Sequence, residues 1–180
     1  SESRAETKLH ALFTDGMVLQ RDIPCPVWGT AAPGEEVSVE IAGKKKSAKA
    51  AADGKWSLKL DPLPAGGPHE LKAGGLTVKD VLVGEVWVCS GQSNMEMSVN
   101  SSLKAPEEKA AAAHPKIRLF TVPKKPADVP QTEIASSWKV CSPETVGGFS
   151  AVGYFFGRAL QKAIDLDRSD HYYDPATVPQ

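Results

Sequence analysis

The residues best suited to chemistry lie in one stretch, residues 81–97, which reads VLVGEVWVCSGQSNMEM. An apolar, β-branched run from Val81 to Val88 stops at Ser90 and Gly91, and a polar cluster of Gln92, Ser93 and Asn94 follows. An apolar run bounded by small turn residues reads as a buried strand of an α/β sheet. The polar cluster then falls at the strand's carboxyl end, where open α/β sheets place their ligands. A serine there, behind a glycine that permits a tight turn, is a candidate nucleophile. The plain alternative is a turn serine that bonds only its own backbone.

A serine hydroxyl attacks only when a base takes its proton, commonly a histidine steered by a carboxylate. His10, His69 and His114 read as surface or turn residues. His171 shares a polar tail with Asp167 and Asp170, which makes it a base by composition, but a lone histidine in such a tail is usually only solvated.

The elements that must position Ser93 follow two grammars. From Leu9 to about Asp80, short strand candidates alternate apolar and polar residues between turn signals, as in residues 36–41 (EVSVEI) and 55–60 (KWSLKL). That spacing, with no helical period between, predicts a small β-sandwich over residues 1–80. Lys44, Lys45 and Lys46 read as a charged strand edge that discourages sheet-to-sheet association. From Val81 the order becomes strand, helix, strand, helix, the pattern of an α/β layer over residues 81–180. Residues 106–113 (PEEKAAAA) form the first helix, with acidic residues in its opening turn. Residues 116–122 form the next strand. After Ser150, a plausible N-cap, residues 151–164 form an amphipathic helix with Val152, Phe155, Phe156, Ala159, Leu160 and Ala163 on one stripe, expected to pack on the sheet. Two strands and two helices bury too little on their own, so the α/β part is expected to be incomplete.

Composition narrows the partners. Lys and Arg number 21 against 22 Asp and Glu, which gives no basic face for nucleic acid. No apolar run approaches the roughly 20 residues of a membrane span. Cys25, Cys89 and Cys141 form no CxxC pattern and read as buried free thiols, so no metal site is expected.

Gly91-Gln92-Ser93-Asn94-Met95, after Gly84-Glu85-Val86-Trp87, resembles the first block of SGNH-type esterases, and within them the sialate 9-O-acetylesterase branch. The text LFTDGMVLQRDIPCPVWGTAAPGEEVSVEIAG and the helix FSAVGYFFGRALQKA resemble that branch too, so the likeness spans roughly residues 9–165. It implies a β-sandwich followed by the first part of an SGNH-hydrolase-like, flavodoxin-like α/β domain. It implies hydrolysis of acetyl esters on sugars, sialic acids first, with Ser93 attacking the acetyl carbonyl. Gly91, Gln92 and Asn94 become candidates for oxyanion or substrate contacts. No cofactor is implied. The family draws its remaining oxyanion donors and its Asp-x-x-His pair from segments beyond this helix. This chain is accordingly expected to need a companion segment and to be inactive alone. Secreted or periplasmic placement follows by analogy. Two other readings stay open: a carbohydrate-binding module using aromatics such as Trp28 or Trp56, and an assembly role completed by another chain.

Overall fold

A computed structural model describes residues 6–129 and 131–168. The chain divides into two compact units. One runs up to Val88 and resumes over Phe120–Lys139; the other takes Cys89–Leu119 and resumes at Val140.

The first unit is built from two sheets. Strands β1 (Lys8–Leu9), β3 (Cys25–Thr30) and β6 (Lys55–Leu60) form a three-stranded sheet in the order β1-β3-β6. Strands β2 (Val18–Gln20), β4 (Glu36–Ile41), β5 (Lys44–Lys49), β7 (Gly66–Ala73) and β8 (Leu76–Gly84) form a mixed five-stranded sheet in the order β2-β8-β7-β4-β5. Only β2 and β8 run parallel in it; the other pairs are antiparallel. The period-2 pattern sets which face is buried: in β4, Val37, Val39 and Ile41 are buried while Glu36 and Glu40 face water. Both sheets feed one core, with Val27, Trp56 and Leu60 from the first and Val37, Val39, Ile41, Leu71, Val81 and Val83 from the second. Two-residue loops, Ala42-Gly43 and Gly74-Gly75, close the β4–β5 and β7–β8 hairpins with positive φ at both positions, which matches the twist of the strands they join. β5 is an edge strand and carries the lysine run, as its charge pattern suggests.

The strand expected over residues 81–88 differs. β8 starts earlier and stops at Gly84, and Val86, Trp87 and Val88 are exposed. The cause is the partner strand: β2 ends at Gln20, opposite Gly84, so no ladder continues beyond it. Residues 81–84 therefore serve the five-stranded sheet rather than opening a parallel one.

The second unit holds helix α1 (Ser93–Glu96), a 3-10 turn (Val99–Ser101), helix α2 (Ala105–Ala110), strands β9 (His114–Leu119) and β10 (Lys139–Cys141), and helix α3 (Ala151–Arg168). β9 and β10 pair as its sheet among the described residues. Its buried cluster is small: Val99, Ala112, Leu119, Cys141, Val146, Ala151 and Tyr154. Helix α3 turns Ala151 and Tyr154 into this cluster, with Phe155 half-buried beside them. Arg158 lies over the rings of Tyr154 (5.3 Å) and Phe155 (5.0 Å) and pairs with Glu108 of α2. The stripe expected to pack on a sheet is mostly outside: Val152, Phe156, Ala159 and Ala163 are exposed. The two short strands present offer too little surface to cover it.

Candidate functional site

Where the chain leaves β8, Gln20 and Arg21 hold residues 85 and 86. Arg21 Nε donates to Glu85 Oε1 at 2.7 Å, Gln20 Nε2 donates to Glu85 Oε2 at 3.2 Å, and the Val86 amide donates to Gln20 Oε1 at 2.8 Å. The amide that would have joined a ladder is thus taken by a side chain.

Residues 89–94 are all exposed. Gln92 holds the N-cap position of α1 with no side-chain cap bond, and Ser93 is the first helical residue. The turn closes through Glu96 N–H to Gln92 O (3.1 Å) and Met97 N–H to Ser93 O (3.1 Å). A Cβ on Gly91 would sit 3.2 Å from Met95 Cβ, so a side chain there would press on Met95.

A four-residue helix does not hold itself, because one turn barely offsets the cost of nucleation. This one is laid against the start of α3. The amides of Ala151, Val99 and Asn100 donate to the carbonyls of Met97 (2.8 Å), Phe149 (3.0 Å) and Gly147 (2.9 Å), and Ser98 and Ser150 form an antiparallel bridge. The approach is close. A Cβ on Gly147 would lie 2.6 Å from Asn100 Oδ1, and one on Gly153 would lie 3.3 Å from Cys89 Sγ. Ser150 caps α3 as expected, its Oγ accepting the Gly153 amide at 3.2 Å, and the same hydroxyl donates to Met95 Sδ at 3.3 Å. That second bond, across 55 positions, has no signature in the sequence.

Gly91, Gln92, Ser93 and Asn94 are therefore brought together on one exposed turn. The histidines are not brought to it. His10 accepts the Leu12 amide on Nδ1 (3.2 Å) and its Nε2 pairs with Thr132 O (2.9 Å); His69 lies in β7; His114 opens β9. His171 lies outside the described residues. Among the described residues no group of three His, Cys, Asp or Glu side chains converges as a metal site. No helix among them is long and apolar enough to cross a membrane. Cys89 is exposed, against the expectation of three buried thiols, because it lies beyond β8 at the mouth of the turn; Cys25 and Cys141 are buried. Trp56 is 3 % exposed, and Trp28 packs beside His10 and edge-on to Phe13, so both serve the core.

No protein-family model matches the chain. Three curated proteins share 33–34 % identity with most of it, from Mus musculus, Homo sapiens and Rattus norvegicus. All three are named sialate O-acetylesterase. The chain's relatives are sialate O-acetylesterases. The mouse and human proteins align with 82 % and 84 % of this chain, and the chain spans about a third of their length (32 % and 34 %). A crystal structure described as a novel carbohydrate acetylesterase from Xanthomonas citri is 41 % identical and superposes with a TM-score of 0.84. That match covers 88 % of this chain and 38 % of the solved one. The resemblance to sialate O-acetylesterases read from residues 9–165 thus holds over most of the chain.

Proposed function

We propose that the chain carries the nucleophile of a carbohydrate O-acetylesterase, with sialic acids acetylated on a hydroxyl as the first substrate class. The observation that carries this reading is the exposed Gly91–Asn94 turn, fastened along residues 147–151, in a chain whose relatives are named sialate O-acetylesterases. Ser93 Oγ attacks the acetyl carbonyl as a base takes its proton. The ester C–O bond then breaks, the sugar hydroxyl leaves with that proton, and water releases acetate from the acetyl-serine. The Ser93 amide, at the first helical position, has no carbonyl one turn back to bond and is suited to the developing oxyanion. One such donor contributes about 3 kcal/mol. Gln92 and Asn94 flank the nucleophile as substrate contacts.

The base and the other oxyanion donors come from a companion segment, which also covers the exposed stripe of α3 and completes an SGNH-type α/β domain following a β-sandwich at residues 1–80. The chain alone is then inactive. In the longest polypeptide that contains this chain, Ser93→Ala lowers turnover of a 9-O-acetylated sialic acid at least ~10³-fold with little change in KM. A variant that keeps a tenth of the activity removes Ser93 from the mechanism.

A further inference from the structure

We infer that Ser150 is a positioning residue for Ser93, acting through the sulfur of Met95; the inference rests on the nucleophile reading above. A serine hydroxyl has one proton to give and lone pairs to accept with, and Ser150 uses both functions in two directions. It accepts the Gly153 amide at 3.2 Å, which caps α3, and it donates to Met95 Sδ at 3.3 Å. Met95 lies two residues after Ser93 in the same single turn, with its Cβ 3.2 Å from where a side chain on Gly91 would begin. The root of the Met95 side chain thus lies close to Gly91 while its sulfur accepts from the Ser150 hydroxyl, so a rotation of the Ser93 turn would strain that bond. The backbone bond from Ala151 N–H to Met97 O secures only the far end of the turn. Ser150 holds the turn from within, at Met95, two residues after the nucleophile. Met95, the apolar residue of the turn, is half-buried while Gln92, Ser93, Asn94 and Glu96 are exposed, so it is the side chain through which the turn meets α3.

Helix capping alone is the competing role, and two substitutions separate it. Ser150→Asp keeps an acceptor for the Gly153 amide but at neutral pH has no proton to give to sulfur. Met95→Leu keeps the volume and removes the acceptor. Amide NMR and hydrogen exchange on the longest polypeptide that contains this chain read both without needing activity. In either variant the Gln92, Ser93 and Asn94 amide resonances shift and the Glu96 and Met97 amides, which carry the turn's own bonds, exchange faster by about threefold or more, while Gly153 and Tyr154 keep their protection. The Ser150→Ala/Met95→Leu double variant adds nothing at Gln92–Asn94 beyond Met95→Leu, as expected of two ends of one contact. Ser150→Asp and Met95→Leu chains whose Gln92–Asn94 signals match the parent overturn the inference and leave Ser150 a cap. Should Ser150→Ala fail to fold, the Asp and Leu variants still decide. Failure of the Ser93→Ala activity test sinks the nucleophile reading and leaves this measurement of turn geometry standing, so the two failures are distinguishable.

Discussion

Cys89 sits exposed four residues before Ser93, whereas burial raises the Cys25 thiol above its usual range and pushes Cys141 up to about 11. Since the thiolate is the reactive form, iodoacetamide at pH 8 labels Cys89 first, and Cys25 and Cys141 only after denaturation. Equal labelling of all three in the folded chain contradicts these positions. The same burial sets a pH dependence. In the unfolded chain Cys141 ionises near 9.0, but in the folded chain only near 11, so its contribution to stability is fully present below about pH 9 and is lost as pH rises toward 11. Chemical denaturation at pH 8 and pH 10.5 measures the fall, and Cys141→Ala makes it smaller, leaving the part due to Cys25. At this scale the sequence was informative where context carried the meaning. Ser150 was legible as a cap through its place before an amphipathic run, whereas the strand expected to lead to Ser93 ends at Gly84. The Met95–Ser150 contact was not legible, because a long-range bond between common residue types leaves no periodic trace.

Elements differ in how much their neighbours constrain them. Gly29 of β3 faces Lys8 of β1 so closely that an added Cβ would lie 1.9 Å from the Lys8 carbonyl oxygen. Gly29→Ala forces β1 off its partner and costs about 1–3 kcal/mol in chemical denaturation. In α3, Tyr154 is fully buried, so Tyr154→Ala costs about 3 kcal/mol or more, whereas Val152→Ser on the exposed stripe costs under about 1 kcal/mol. Comparable losses at the two positions would mean that the stripe is already covered. The strands of the first unit were legible because alternation directly encodes one wet face, as in Val37, Val39 and Ile41 of β4. β8 was misread at its end, since an apolar run states that residues prefer burial and not where the hydrogen-bonding partner stops. The α3 helix was found, but its facing was not. Its stripe matches a sheet larger than β9 and β10 provide.

At the scale of the whole chain, Val152, Phe156, Ala159 and Ala163 on α3, with Val140 and Met97 elsewhere in the second unit, are exposed apolar surface. The 180-residue chain on its own therefore self-associates, and sedimentation velocity shows Val152→Ser/Phe156→Ser shifting it toward monomer. A parent chain that sediments as a monomer contradicts this. The central claim, that Ser93 is a nucleophile activated by residues outside the described chain, is tested most directly by a fluorophosphonate probe followed by peptide mapping. In the longest polypeptide that contains this chain, the account predicts one phosphonylated serine, Ser93, with the adduct absent from the 180-residue chain alone and from Ser93→Ala. An adduct on another serine, or an active esterase that leaves Ser93 unmodified, contradicts it.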